Sequence, residues 1–285
     1  MNKFETLADI GTTEQIGRIK RLNVGIVVKV EDGSFLHIGG SPTPLTDKKA
    51  PIFMIGDQPA IPASSFKGAF RNKVEAYLIE HQDEIKTLFR VEDAKCLMPC
   101  IPASKPTAAE KSFLTNKAVY REKNCEVKVD EKRIKVPDSG ICPVCYLFGA
   151  NGLMGFLRIS NFLPITKGLS KMEQTQIGID RKTGTARHGA IVRGDQVLPG
   201  TKFVGKLEIL LNDGNFEFGV PRKIGENSKQ VLDTWLNNTE TEDLNEIQIK
   251  IIDNLILRPL KELDRLGGQK SKGAGKVKIT VGAPT

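Results

Sequence analysis

The chain has 285 residues, of which 39% are hydrophobic, and a formal net charge of +8. This composition excludes a wholly disordered chain, and no apolar run approaches the roughly 20 residues that are needed to span a bilayer. The first residues lack the apolar stretch of a secretory signal, so we expect a cytoplasmic protein with no membrane partner. The excess of basic residues favours a polyanionic partner but does not prove one.

The first part of the chain predicts a strand, a loop and an amphipathic helix, in that order. Strict apolar alternation over Leu22–Val30 predicts a half-buried strand, and the Gly-, Pro- and Thr-rich stretch Ser34–Leu45 predicts a loop. Apolar residues at helical spacing over Phe66–Leu78 predict a helix with one face against a core. Either Ser64 or Ser65 is a suitable N-cap for it.

Two long segments interrupt the regular elements. Lys95–Gly140 is polar and mixed in charge, is bounded by cysteine pairs, and is predicted to be an insertion with little core of its own. Lys171–Leu198 is basic and poor in apolar periodicity, which predicts a projecting loop or hairpin. Both exceed ordinary loop lengths, and segments of this kind are usually functional or disordered.

The remaining elements complete an α+β pattern. The order of strand, helix, strands, helix and strand predicts a single domain over residues 1–285. Its core would be a ferredoxin-like or RRM-like sheet with helices on one face. The further predicted strands are Lys202–Leu211 and Gly275–Val281, with another expected within Leu147–Leu163, and the further predicted helices are Ser228–Asn237 and Leu244–Leu266.

The start of the predicted first helix suits a phosphate group. Free amides and the positive end of the helix dipole favour an anion, hydroxyl groups add donors, and two basic residues four positions apart share one face. A glycine between them lets a ligand approach closely. An ordinary capped helix with solvated charges remains the alternative. The residues concerned are Ser64, Ser65, Lys67, Gly68 and Arg71.

A second candidate site is the basic glycine loop that follows the last predicted helix. Successive amides in such a loop can form an anion-binding nest, although the spacing matches neither a Walker A motif nor a dinucleotide fingerprint. A flexible basic turn is the alternative interpretation. The residues concerned are Gly267, Gly268, Lys270, Ser271, Lys272, Gly273, Gly275 and Lys276.

Five cysteines raise the question of a metal. Two pairs, Cys96 with Cys100 and Cys142 with Cys145, have a spacing that can build a tetrahedral zinc site. Such a site would staple the insertion, taken as residues 95–145, because metal binding can fold a segment that lacks its own core. Cys125 could replace one of the four ligands, and reduced, unligated thiols are the alternative.

Taken together, these motifs resemble the RAMP superfamily of CRISPR proteins. The helix motif over Pro62–Arg71 and the C-terminal glycine loop carry the resemblance to the superfamily. The segments His37–Ser41, Cys142–Gly149 and Ile179–Ala186 resemble, more narrowly, the Csm-type backbone subunit of type III effector complexes. The motifs follow the same order from about residue 22 to residue 281, which is nearly the whole chain.

The resemblance implies an RNA-binding role in antiviral defense. It implies that the first helix and the glycine loop hold the guide-RNA backbone, that the loop after the first strand also binds RNA, and that a thumb hairpin within 173–198 kinks the guide–target duplex. Expected partners are guide RNA, target RNA, other copies of the chain and other CRISPR effector subunits. The RNA-binding residues that this adds are His37, Gly39, Gly40, Ser41, Arg181, Arg187, His188 and Arg193.

The resemblance also implies catalysis and cofactors. Asp47 falls at the position of the family's catalytic aspartate, so the chain is expected to be an endoribonuclease that uses Mg²⁺ or another divalent cation, with structural Zn²⁺ elsewhere. Two lysines follow Asp47, whereas the family usually has Ser-Pro or a similar pair there. Two other hypotheses stay open: a non-catalytic RAMP subunit that caps one end of such a complex, and a zinc-stapled structural protein with no RNA role.

Overall fold

An antiparallel sheet forms the centre of the fold in the computed structural model, which describes residues 4–41, 50–100, 120–121, 124–130, 133–135, 137–165, 171–225 and 229–282. The helices are α1 (Ala63–Glu80), α2 (Gln82–Leu88), α3 (Pro143–Phe148), α4 (Leu244–Ile251) and α5 (Arg258–Lys261), with the π-helix Ile252–Leu257 joining the last two. The strands are β1 (Thr12–Ile16), β2 (Ile19–Val30), β3 (Met54–Ile55), β4 (Gln58–Pro59), β5 (Lys128–Asp130), β6 (Arg133–Lys135), β7 (Leu157–Ile159), β8 (Leu163–Pro164), β9 (Lys171–Ile179), β10 (Ala186–Val197), β11 (Lys202–Asp213), β12 (Lys223–Ile224), β13 (Gln230–Val231) and β14 (Val277–Gly282).

Strand β2 is the centre of the sheet. It pairs along its length with β11, and its other edge carries β1 and β14 end to end. The outer edge of β11 carries β7 and β8 in the same way. The strands predicted over Leu22–Val30, Lys202–Leu211 and Gly275–Val281 are confirmed, because alternating apolar side chains of β2, β11 and β14 face the buried core.

Helix α1 presents the predicted apolar face to that core. Phe66, Phe70 and Val74 are fully buried. The helix begins at Ala63, after Pro62, so the prediction of a serine N-cap is wrong. Instead, the side-chain oxygen of Asn161 accepts the amide hydrogen bond of Ala63 at 2.8 Å, which leaves the following serine side chains exposed in the first turn.

The C-terminal third differs from its predicted helices. In place of the predicted helix Ser228–Asn237, the described part holds the short strand β13 and a 3₁₀ turn, Thr234–Thr239. There the amide of Leu232 donates to the carbonyl of Arg222, and the carbonyl of Leu232 accepts from the amide of Ile141. Neither group is therefore available for a hydrogen bond within a helix. The last helix ends at Lys261, because the residues after it bond to the glycine loop and to β14 instead.

The basic segment Lys171–Leu198, predicted to be a projecting loop or hairpin, forms a two-stranded antiparallel hairpin of β9 and β10. Most of its described side chains are exposed, while its base at Asp195, Gln196 and Val197 is buried. The base bridges to Leu36 and Ala50, so the hairpin leaves the body beside the loop that follows β2.

The architecture as a whole is mixed α/β with one antiparallel main sheet, as the sequence predicts. Buried side chains of the sheet, α1 and the C-terminal helices belong to one continuous hydrophobic cluster. Among the described residues, no helix is both long enough and apolar enough to cross a membrane.

Candidate nucleic-acid interface and metal centre

The glycine loop is fastened to the loop that follows β2. The amide of Gly268 donates to the carbonyl of His37 at 2.7 Å, and the amide of Gly275 donates to the carbonyl of Phe35 at the same distance. Gly267 has a φ of +76°, and a Cβ added there would lie 2.3 Å from the carbonyl oxygen of His37. Only glycine fits this position, because a side chain would meet both a strained backbone and a steric clash.

Ser34 holds the C-terminal part of the glycine loop in place, although the sequence analysis did not identify it as a site residue. Its buried hydroxyl donates to the carbonyl of Gly273 and accepts from the amide of Lys276, both at 3.1 Å. Between these anchors, residues 270–272 form a 3₁₀ turn whose lysine side chains are exposed. The loop therefore has a fixed backbone and an outward-facing basic surface.

The base of the hairpin joins this assembly. The Nδ1 atom of His37 lies 2.9 Å from the carbonyl oxygen of Asp195. The side-chain amide of Gln196 donates to the side-chain oxygen of Gln269 at 3.0 Å. Segments predicted separately as the post-strand loop, the glycine loop and the hairpin thus meet at one place.

A groove of about 590 Å³ runs between this assembly and the first turns of α1. Its lining combines serine hydroxyl groups, glycines and basic side chains with one acidic residue, Asp264, and several apolar residues. Hydroxyl and basic groups of this kind can hold phosphate oxygens. The structure therefore brings together many of the predicted RNA-binding residues from three segments. Those lining the groove are Gly39, Ser64, Ser65, Gly68, Gly267, Gly268 and Lys270.

Two predicted RNA-binding residues of α1 lie on another side of the helix. Lys67 and Arg71 line a second groove of about 750 Å³. Burial, and then the charge of Arg71, lowers the pKa of Lys67. The guanidinium of Arg71 donates to Glu75 at 3.2 Å, to the carbonyl of Gly149 at 3.2 Å and to the sulfur of Cys145 at 3.3 Å. Arg71 is therefore engaged with protein partners rather than presented to the first groove.

A buried group of four cysteines borders the second groove, which three of them line. The sulfur atoms of Cys100, Cys125, Cys142 and Cys145 lie within 4.8 Å of one another. The predicted ligand set is wrong at one position: Cys125 takes the place given to Cys96, which is only half-buried and lies outside the group. The separation of Cys96 from Cys100 along the chain matched a zinc motif, but the fold carries Cys125 inward instead.

The chemistry of the group fits zinc. A Zn–S bond of about 2.3 Å places tetrahedral sulfurs roughly 3.8 Å apart, and the sulfurs of Cys100 and Cys145 are 3.4 Å apart. The amide of Cys145 donates to Cys142, which caps the short helix α3. Burial opposes ionisation of Cys142, but bonds from the other three thiols and the charge of Arg121 hold its pKa well below the usual range.

The predicted RNA-binding arginines of the hairpin are not gathered at the groove. Arg181 and Arg187 are exposed at the turn of the hairpin, and Arg193 is exposed on β10 with its Nε 3.9 Å from Glu173. The side chain of His188 lies outside the described structure. The predicted catalytic Asp47 also lies outside the described residues, in the interval 42–49.

Comparison with known proteins agrees with this arrangement. No individual curated protein sequence matches the chain significantly. The family model of the RAMP superfamily, however, matches residues 33–278, from the loop after β2 to the second residue of β14. This range covers most of the chain and includes both the groove and the four-cysteine group, so the chain belongs to the RAMP superfamily.

Proposed function

We propose that this chain is the guide-RNA-binding backbone subunit of a type III CRISPR effector complex, of the Csm type. The observation that carries the proposal is the groove at which α1, the glycine loop and the loop after β2 converge. Membership of the RAMP superfamily supports an RNA-binding role in a CRISPR complex. A cytoplasmic location and assembly with other CRISPR subunits follow from that role.

The lining of the groove suits an RNA backbone of any sequence. Hydroxyl and amide donors at Ser64, Ser65 and Gly39 can contact phosphate and ribose oxygens, and contacts of that kind position a strand without reading its bases. The exposed lysines of the 3₁₀ turn add the electrostatic attraction that dominates such binding. A guide RNA whose sequence varies from complex to complex must be bound in this sequence-independent way.

The topology supports two finer parts of the proposal. Strands β14, β2, β11 and β7 lie side by side in that order, and a helical segment lies between β2 and β7 along the chain and another between β11 and β14. This order supports a ferredoxin-like sheet. The hairpin β9–β10, basic at its turn, is suited to act as the thumb that kinks the duplex. Copies of the chain would then follow one another head to tail along the guide.

The proposed metals have separate roles. The four-cysteine group would hold Zn²⁺, which would fix the insertion that carries Cys100 and Cys125 to the body of the domain. We propose that Asp47 cleaves the target RNA with Mg²⁺ or another divalent cation, by aligning a ribose 2′-OH with the adjacent phosphate. The described residues on either side of the interval 42–49 meet, because the amide of Gly40 donates to the carbonyl of Pro51 at 2.9 Å, and the neighbouring Gly39 lines the groove.

The RNA-binding proposal is tested with the purified chain and a labelled single-stranded RNA over a range of salt concentrations. Each lost phosphate contact lowers the slope of log affinity against log salt by about 0.7 for single strands. We expect a Lys270→Ala/Lys272→Ala variant to lower the slope by about 1.4. A Lys206→Ala/Lys223→Ala variant, which removes two exposed lysines outside the groove, should not change it. If both double variants gave the same slope of log affinity against log salt, the RNA would not bind at the glycine loop.

The cleavage proposal needs the assembled complex. We expect Asp47→Ala to abolish cleavage of a complementary target RNA in the presence of Mg²⁺ while target binding is retained. If cleavage continues unchanged, Asp47 is not the catalytic residue. If the wild-type complex also fails to cleave but binds target, the alternative of a non-catalytic RAMP subunit is the better description.

A further inference from the structure

Two arginines approach the four-cysteine group from different parts of the chain. Arg71 reaches it from α1 and lies 3.3 Å from the sulfur of Cys145. Arg121 reaches it from the insertion and lies 3.8 Å from the sulfur of Cys125. Arg121 is 7% exposed as a residue, and the side chain of Arg71 is 24% exposed, so both charges are largely withdrawn from water.

The charges of this assembly are complementary. Four cysteine thiolates around one Zn²⁺ carry a formal charge of −2, and such a charge is costly to bury unless it is paired. Two guanidinium groups carry +2 and donate hydrogen bonds to two of the four sulfurs, while the buried carboxylate of Glu75, which pairs with Arg71, lowers that charge to +1. We propose that Arg71 and Arg121 are positioning residues of the metal centre, which offset part of the charge of the zinc tetrathiolate and fix its sulfurs. This inference rests on the zinc site of the proposed function.

The remaining bonds of each arginine fix the direction of its guanidinium. Arg121 donates to the carbonyls of Gly140 and Cys96. Arg71 donates to the carbonyl of Gly149 and to Glu75, which is 4% exposed. A planar fork with several fixed donors can make these contacts at once, whereas a lysine ammonium on its flexible stem cannot reproduce them.

This assignment gives Arg71 a role that the helix motif did not indicate. The motif predicts an RNA contact, but the guanidinium joins α1 to the metal centre instead. The same helix carries Ser64, Ser65 and Gly68 into the RNA groove. Arg71 therefore connects the position of the RNA-facing turn to the metal centre, one helical turn farther along.

The test measures zinc affinity by competition with a chromophoric chelator, using the full chain. The main variant is Arg71→Ala/Glu75→Gln, compared with Glu75→Gln, because removing Arg71 alone would leave Glu75 buried and unpaired. Loss of a partner that orients a metal ligand typically weakens metal binding about 10- to 100-fold. We expect a loss of that size, a smaller one for Arg71→Lys, and a weakened affinity for Arg121→Ala as well.

The matched control is Lys73→Ala, which removes a cation from α1 that pairs with Glu262 at 3.0 Å. Its zinc affinity should equal that of the wild type. The inference is overturned if Arg71→Ala/Glu75→Gln binds zinc as tightly as Glu75→Gln and Arg71→Lys binds it as tightly as the wild type. A loss of RNA affinity at unchanged zinc affinity would show that Arg71 serves RNA binding and not the metal centre. A wild-type chain that binds no zinc would overturn the zinc proposal itself, which is a different result from a wild type that binds zinc without help from Arg71.

Discussion

The backbone amide of Gly268 donates a hydrogen bond of 2.7 Å to the carbonyl oxygen of His37, and this bond fastens the glycine loop to the loop after β2. It depends on the preceding residue, because Gly267 turns the chain with a φ of +76° in direct contact with the same carbonyl. The two loops therefore form one surface, and a change at Gly267 should disturb both.

We expect Gly267→Ala to weaken RNA binding at least tenfold and to lower the melting temperature. The added methyl would lie 2.3 Å from the carbonyl of His37, and the backbone conformation disfavours any side chain. Gly282→Ala is the control, since a Cβ there meets nothing within 4 Å. RNA binding by filter retention and melting by circular dichroism measure both effects. Unchanged RNA affinity in a destabilised Gly267→Ala protein would separate the loop from the RNA surface.

Gly68 offers a prediction in which stability and binding change in opposite directions. It lies within α1, it lines the groove at which we propose that RNA binds, and a Cβ there meets no atom within 4 Å. Replacing a helical glycine by alanine stabilises a helix by about 1 kcal/mol, so Gly68→Ala should melt a few degrees higher. If RNA passes close to this position, the same methyl group should weaken RNA binding several-fold. A higher melting temperature with unchanged RNA affinity would show that the RNA does not approach Gly68.

The identity of the cysteine ligands can be tested by two matched serine variants. Cys125 belongs to the buried four-cysteine group, whereas Cys96 does not. We expect Cys125→Ser to lose most of its bound zinc and to melt at a lower temperature, because three thiolates hold the metal less tightly. Cys96→Ser should keep the zinc content of the wild type. Metal analysis of the purified proteins decides the matter, and loss of zinc from Cys96→Ser would restore the sequence-based ligand set.

The difference between these two cysteines illustrates what the sequence could and could not predict. Strand β2 and the apolar face of α1 follow from periodicities of two and 3.6 residues, which are local properties of the chain. The glycine loop was recognisable because its glycines are required by the backbone. Whether Cys125 or Cys96 joins the metal group depends on contacts between residues far apart in the sequence, and the spacing of cysteines along the chain does not indicate those contacts.

The same limit applies to charged residues. Lys67 and Arg71 share one face of a helix, as their spacing predicts, but the sequence does not show which neighbour that face meets. The structure places it against the cysteines and not against the glycine loop. Likewise, the predicted helix Ser228–Asn237 is wrong because Asp233 pairs with Arg222, a contact that no periodicity indicates.

That ion pair yields the last prediction, which concerns stability. Arg222 and Asp233 make two side-chain hydrogen bonds of 2.8 Å, and their side chains are 1% and 0% exposed. Removing one partner from a buried pair typically costs about 3–5 kcal/mol, because the other charge stays buried without compensation. We therefore expect Asp233→Asn to lower the free energy of unfolding in urea by several kcal/mol, whereas Lys223→Ala, which breaks an exposed pair with Glu240, should cost about 1 kcal/mol or less.

An Arg222→Met/Asp233→Leu variant, which removes both charges, should recover much of the loss. Equal unfolding free energies for Asp233→Asn and Lys223→Ala would mean that the pair does not hold this segment in place.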